Sequence, residues 1–155
     1  MPDRPRSYLV VVDDTPESRL ALRFAAKRAA RNAGHVSALH VIPPTDFIQW
    51  GGVQDVIEAE AQEKAEAMLG ELAEAALTET GIRPSIFVRS GKPTEEVRKA
   101  MDADSNLHLL VLGAASKGAP GPLVAFFSGE SAGELPCPVL IVPGGLDEPS
   151  LERLA

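Results

Sequence analysis

The chain of 155 residues has little cysteine and little positive charge. Its single cysteine, Cys137, excludes an internal disulfide and is typical of a protein from a reducing compartment. Lys and Arg total 15 against 22 Asp and Glu, which gives a formal net charge of −7. This balance argues against binding to nucleic acid or to an anionic membrane, because both partners need a concentrated basic patch.

The beginning of the chain also lacks a long apolar run. Residues 1–7 are polar, and no apolar stretch long enough for a signal peptide or a membrane span follows them. We therefore expect a cytoplasmic protein without a membrane partner. The length suits one domain over residues 1–155, with a core at about residues 7–143 and a short tail over residues 144–155.

The acidity is concentrated in one segment. Residues 1–34 carry seven basic and four acidic groups, residues 35–81 carry one and nine, and residues 82–155 carry seven and nine. The basic groups of the first segment include Arg19, Arg23, Lys27 and Arg31, spaced four apart on one predicted helix. The right-handed crossover rule places this helix beside the acidic second helix, so we expect part of the charge to be complementary and the rest to be solvated.

Strand and helix patterns alternate along the chain. Residues 8–12 form an apolar run typical of a buried strand, and Thr15 and Pro16 then begin a helix that runs to about Ala33 before Gly34. Further strands are predicted at residues 35–42, 84–89, 108–112 and 139–142, and further helices at residues 53–80 and after residue 93. A loop with Trp50, Gly51 and Gly52 precedes the second helix. Such βαβ units indicate an α/β protein with a mainly parallel sheet.

Ligands of such sheets bind beyond the carboxyl ends of the strands, where the strand order reverses. The first candidates are therefore residues 13–15 after strand one and residues 113–118 after strand four. A receiver domain would need an aspartate after strand three, where Ser90 and Gly91 stand instead. A phosphate-binding P-loop is excluded at Lys92, because the preceding glycine spacing is absent and Pro93 follows.

Several segments together resemble the universal stress protein family. They are Val12, Asp13 and Thr15 after strand one, Ser18 at the helix start, His40, Val41 and Ile42 at the end of strand two, residues 113–118 and 128–131, and residues 136–139. The resemblance extends from residue 8 to residue 143. It implies a flavodoxin-like fold, related to the adenine nucleotide α-hydrolases. The expected architecture is an open five-stranded parallel sheet of order 3-2-1-4-5 with helices on both faces.

The resemblance also implies a regulatory stress-response protein that is not an enzyme and that pairs as a homodimer through its last strand. The residues of that strand are Val139, Leu140, Ile141 and Val142. Members of the family that bind ATP use the pattern Gly-x2-Gly-x9-Gly-Ser/Thr, in which Gly113 matches the first glycine. Ser116 occupies the position of the second glycine, and Gly118 and Gly129 do not have the spacing of the pattern. Glu130 follows Gly129 where the pattern has Ser or Thr, and its carboxylate would repel a terminal phosphate.

By the same resemblance, Asp13 corresponds to a residue near the ribose and Val41 to one whose backbone meets the adenine. ATP or AMP is the implied ligand. The candidate nucleotide-binding residues are Val12, Asp13, Asp14, Thr15, Val41, Gly113, Ala114, Ser116, Gly118, Gly129 and Ser131. The alternative is a nucleotide-independent dimeric interaction module of the same fold, and a weak ATPase is a third reading.

The remaining candidates indicate no further chemistry. His35, His40 and His108 have no cysteine or acid at metal-ligand spacing, so we predict no metal site. Cys137 has no basic neighbour in sequence and is interpreted as a packed thiol. Residues 123–127 form an apolar run that belongs either to the core or to a partner-binding patch.

Overall fold

The computed structural model describes residues 5–44 and 53–155. Strands and helices alternate in it. The order is β1 (Ser7–Val11), α1 (Pro16–Asn32), β2 (His35–Ile42), α2 (Val53–Thr80), β3 (Ser85–Ser90), α3 (Pro93–Ala103), β4 (Leu107–Ala114), α4 (Pro122–Phe127), a 3₁₀ helix (Glu130–Glu134), β5 (Val139–Pro143) and α5 (Glu148–Leu154). The predicted loop around Trp50, Gly51 and Gly52 lies outside the described residues.

The five strands form one parallel sheet in the order β3-β2-β1-β4-β5, which confirms the predicted topology. β1 lies at the centre, where Val10 pairs with Ala38 of β2 and with Val111 of β4. The strand order reverses at β1, because the chain moves outward to β2 and β3 and then returns to β4. The carboxyl ends of β1 and β4 therefore border the position at which ligands of this architecture bind.

Helices cover both faces of the sheet, as predicted. On one face α1, α2 and α5 pack over a core cluster that includes Val10, Leu69 and Leu151. On the other face α3 and α4 pack over a cluster that includes Leu39, Met101 and Phe127. Consecutive residues of β1 alternate between the two clusters, as the period of two in a strand requires.

The beginning of α1 is determined by local chemistry. Thr15 is the N-cap, and its Oγ1 accepts the backbone N–H of Ser18 at 3.3 Å. Pro16 follows at the first helical position, where the missing N–H costs nothing. At the other end Ala33 adopts the left-handed conformation with φ 55°. The helix thus ends at Asn32, two residues before Gly34, the predicted stop.

Residues 144–155 are not a short tail outside the core, which corrects the expectation from the sequence. Asp147 caps a seven-residue helix, α5, by accepting the backbone N–H of Ser150 at 2.8 Å. Leu151 of this helix has 0% of its surface exposed and Ala155 has 7%. Both belong to the core cluster beneath α1, so the hydrophobic core extends well beyond residue 143.

The basic side of α1 makes more ion pairs with α5 than with α2. Arg23 pairs with Glu79 of α2 at 2.8 Å, which confirms the expected contact between the first two helices. The same guanidinium also pairs with Glu148 of α5 at 2.7 Å. Lys27 pairs with Glu152 at 2.7 Å, and Arg31 donates to the Glu152 carbonyl oxygen at 2.6 Å. The complementary neighbour of this basic helix is therefore mainly α5.

Candidate functional site

A cavity of about 340 Å³ lies at the carboxyl ends of β1, β2 and β4, between the start of α1 and α4. Its walls are mostly apolar, with carboxylates near the end of β1. The lining residues are Val11, Val12, Asp13, Thr15, Glu17, Ser18, His40, Val41, Pro43, Pro93, Leu112, Gly113, Pro120, Gly121, Pro122, Leu123 and Val124. The cavity thus occupies the ligand position that the strand order predicts.

Asp13 is held in place by the turn that leads into α1. Its Oδ1 accepts the backbone N–H of Thr15 at 3.1 Å and also the Thr15 hydroxyl. The hydroxyl of Ser18 donates to the Asp13 carbonyl oxygen at 2.8 Å, and the Asp13 N–H donates to that hydroxyl oxygen at 3.1 Å. These bonds use Oδ1 and the backbone of Asp13. No described residue donates a hydrogen bond to the second carboxylate oxygen, which can accept one from a ligand hydroxyl.

The end of β2 forms a second wall. The pairing of β1 with β2 ends at Val11 and Leu39, whereas β2 continues to Ile42. On the side of β1, the last residues of β2 therefore have no strand partner and border the cavity. Both His40 and Val41 line it. His40 places Nδ1 2.7 Å from the carbonyl oxygen of Val12. Because a carbonyl can only accept, Nδ1 carries the proton of that hydrogen bond.

Gly113 is the second-last residue of β4 and lies against the first turn of α1. A Cβ atom at this position would lie 2.1 Å from the carbonyl oxygen of Glu17 and 2.4 Å from its carbonyl carbon. No side chain fits there without a shift of the backbone. The absence of a side chain at Gly113 therefore lets the first turn of α1 pack against β4, and this contact brings Glu17 into the cavity wall.

The structure brings together five of the residues predicted for a nucleotide site. Val12, Asp13, Thr15, Val41 and Gly113 line the cavity.

The other predicted site residues lie elsewhere. Asp14 pairs with Arg19 at 2.5 Å and lines a separate cavity beside α2. Ala114 accepts the N–H of Gly144 at 2.8 Å, and the side chain of Ser116 lies beside Gly145. Gly118 turns the chain with φ +74°, Gly129 precedes the 3₁₀ helix and Ser131 lies within it. None of these residues lines the cavity described above.

Reasoning from the sequence missed Glu17 and the wall formed by Pro120, Gly121 and Pro122. The density of glycine and proline after β4 marked this loop as unusual, but it did not indicate which residues turn inward. The apolar run that follows is divided between core and surface, and Val124, 7% exposed, and Phe127, 1% exposed, belong to the core. Phe126, in contrast, is 42% exposed.

No group of histidine, cysteine and acidic side chains suited to hold a metal ion occurs in residues 5–44 and 53–155. Within the same ranges, no helix is both long enough and apolar enough to cross a membrane. Cys137 is a free, partly buried cysteine, and burial raises the pKa of its thiol. A raised pKa keeps the thiol protonated and makes it a weak nucleophile.

The parallel sheet of order 3-2-1-4-5, with its cavity beyond β1 and β4, defines a flavodoxin-like α/β protein. A sequence model of the universal stress protein family matches residues 6–143. The chain therefore belongs to the universal stress protein family.

Solved structures of the family share this fold. The universal stress protein UspA from Lactobacillus plantarum superposes with a TM-score of 0.66 and 19% identity, over 90% of this chain and 99% of that one. A family protein from Arabidopsis thaliana with AMP bound gives 0.61 and 18%, over 90% and 92%. A universal stress protein in complex with cAMP gives 0.60 and 18%, over 88% and 96%. A comparison with curated proteins gives no significant match.

Proposed function

We propose that this universal stress protein is a regulatory stress-response protein that binds an adenine nucleotide in the cavity at the ends of β1, β2 and β4. The observation that carries the proposal is the position of Asp13 in that cavity, with one carboxylate oxygen held by Thr15 and the other available. The AMP-bound and cAMP-bound structures of related proteins support the ligand class.

The proposed pose assigns one role to each wall. The free oxygen of Asp13 accepts hydrogen bonds from the ribose hydroxyls, which makes the sugar the anchor of the ligand. The backbone of Val41, beyond the last pair with β1, meets the polar edge of the adenine. Gly113 and the apolar residues of the loop and α4 enclose the remaining surface, as small-molecule sites commonly do.

We propose a cytoplasmic regulatory role rather than catalysis. Among the described residues, the hydroxyls in the cavity wall are those of Thr15 and Ser18, and both donate to Asp13 in bonds that hold the turn before α1. Neither makes a hydrogen bond to a histidine of the described chain, the pattern that activates a serine or threonine nucleophile. The protein would then act by binding its ligand and changing its contacts with partners.

Isothermal titration calorimetry with AMP tests the binding proposal. We expect Asp13→Ala to weaken binding about tenfold or more, because it removes the ribose acceptor. Asp14→Ala is the matched control, because Asp14 is the next residue in the chain and its carboxylate pairs with Arg19 outside this cavity. The affinity of this variant for AMP should equal that of the wild type. Equal loss in both variants would contradict the role of Asp13. If folded wild-type protein binds neither AMP nor adenosine, the result would contradict the nucleotide proposal and favour the alternative function, a nucleotide-independent interaction module.

We further propose a homodimer formed through β5. This strand is an edge of the sheet, and Ile141 on it is 39% exposed. An unpaired edge with an exposed apolar side chain is suited to strand pairing across a two-fold axis.

Sedimentation velocity of two edge variants tests the dimer. We expect the wild type to sediment as a dimer and Ile141→Lys to sediment as a monomer. Ile86→Lys changes a comparably exposed residue, 37% exposed, on the opposite edge strand β3, and it should remain dimeric. A monomeric wild type, or the same behaviour of the two variants, would contradict an interface at β5.

A further inference from the structure

The geometry points to a cavity that selects uncharged or singly charged adenosine compounds and disfavours ATP, with Glu17 as the residue that sets this preference. The inference rests on the proposed nucleotide function and specifies its ligand. It depends on three features of the cavity: the sign of its charges, the shortage of amide donors in its wall, and the position of Glu17.

The charged groups of the wall are unfavourable for phosphate. Its ionisable residues, within the described part of the chain, are Asp13, Glu17 and His40, and no lysine or arginine lines it. Two lysines follow or precede lining residues in the sequence but do not line the cavity themselves. Lys92 lies 4.0 Å from Glu95, and Lys117 lies in the loop beyond β4. A polyphosphate in this cavity would thus meet two carboxylates without a cationic side chain in the wall to offset them.

Glu17 lines the cavity where the first turn of α1 meets the end of β4. Its carbonyl oxygen packs against Gly113, and its Cβ would lie 3.0 Å from a Cβ on Gly144. These contacts hold the backbone and the Cβ of Glu17 in place at the cavity wall. Its carboxylate has no hydrogen-bond or ion-pair partner among the residues that the structure describes, so its negative charge is not offset by a neighbouring side chain.

The loop opposite Glu17 offers few amide donors. Pro120 and Pro122 both line the cavity, and proline has no N–H with which to bind a phosphate oxygen. The N–H of Ala115 donates to the Pro120 carbonyl oxygen at 3.1 Å and is therefore already used. Of the residues of this loop and of the first turn of α4 that line the cavity, only Gly121, Leu123 and Val124 carry an N–H group.

The start of α1 does not reverse this balance. A helix N-terminus carries the equivalent of about half a positive charge. Here Pro16 removes one of the terminal N–H groups, and the N–H of Ser18 is used by Thr15. The half charge is smaller than the combined charge of Asp13 and Glu17, so the sum of these three contributions remains negative.

A series of ligands that differ only in phosphate charge tests the inference. Adenosine has no phosphate, cAMP carries a single negative charge, and AMP carries about two at pH 7. We expect adenosine and cAMP to bind about tenfold or more tightly than ATP in calorimetric titrations at low ionic strength. The preference should shrink as salt is raised, because the repulsion is screened.

Two matched variants locate the charge responsible. Glu17→Gln should strengthen ATP binding severalfold and leave adenosine binding within about twofold. Glu130→Gln, at the carboxylate that the sequence pattern singles out, should change neither affinity, because Glu130 lies in the 3₁₀ helix and does not line the cavity.

The outcomes separate this inference from the proposed function. Wild-type protein that binds ATP as tightly as adenosine at low salt would overturn the charge selectivity and leave the nucleotide function standing. A larger effect of Glu130→Gln than of Glu17→Gln would overturn the role of Glu17. Failure of folded wild-type protein to bind any of the four compounds would overturn both proposals.

Discussion

The carbonyl oxygen of Glu17 lies 2.1 Å from the position that a Cβ atom on Gly113 would occupy. This contact joins the start of α1 to the end of β4. It closes one side of the cavity and brings Glu17 to its wall. Gly113 is therefore required by packing within the protein, whether or not a phosphate approaches it.

We predict opposite effects for two glycine-to-alanine substitutions. Gly113→Ala should lower the free energy of unfolding by about 3 kcal/mol, because the new methyl group overlaps the backbone of Glu17. Gly70→Ala should raise it by about 1 kcal/mol, because this glycine lies within α2 and a Cβ there meets no atom within 4 Å. Urea denaturation followed by circular dichroism measures both values. Equal stability of Gly113→Ala and wild type would refute the close approach.

We predict that α5 contributes to the stability of the whole domain. Leu151→Ala should destabilise the protein by about 3 kcal/mol, because its side chain is fully buried beneath α1. Leu154→Ala, in the same helix but 41% exposed, should change stability by no more than about 0.5 kcal/mol. Thermal denaturation compares the two variants. Similar melting temperatures would show that α5 does not pack on the core.

The network around Arg23 should make stability depend on pH in the acidic range. Hydrogen bonds from Arg23 hold the pKa values of Glu79 and Glu148 below the ordinary 4.5. Both carboxylates therefore bind a proton more readily in the unfolded chain. Their contribution to stability is complete above about pH 4.5 and is lost as the pH falls through the lower folded values.

Melting temperatures at pH 6 and pH 3 test this dependence. Wild type should be more stable than Arg23→Met at pH 6, and the difference should narrow at pH 3, because the partners of Arg23 become protonated. Arg83→Met is the control, since Arg83 pairs with Glu74 on an exposed surface, with side chains 59% and 57% exposed. Its difference from wild type should be small at both pH values. A constant gap for Arg23→Met would contradict the prediction.

Cys137 should react slowly with thiol reagents in the folded protein. Burial raises the pKa of its thiol, so little thiolate is present at pH 8. We expect modification by an aromatic disulfide reagent to be about tenfold slower than in the same protein unfolded in urea. The unfolded sample serves as the control. Equal rates in the two samples would show that the thiol is exposed.

Local patterns in the sequence predicted most of the fold. The apolar runs of β1 and β2, the cap at Thr15 and the regular spacing in α2 depend on neighbours along the chain, and the structure confirms these elements. The family pattern also located the half of the cavity formed by Asp13, Val41 and Gly113. α5 was missed because residues 148–154 are mainly polar, and only Leu151 and the packing beneath α1 reveal its buried side.

The sequence by itself determined the order of strands and helices, the acidity of the second helix and the edge at which a ligand would bind, because each follows from local periodicity and from the chirality of βαβ units. Only the tertiary structure decided which glutamate lines the cavity. The sequence pattern singled out Glu130, whereas the packing of α1 on β4 places Glu17 there. Glu17 and Gly113 are far apart in the chain and meet only in the folded protein, so spacing along the sequence does not predict their contact.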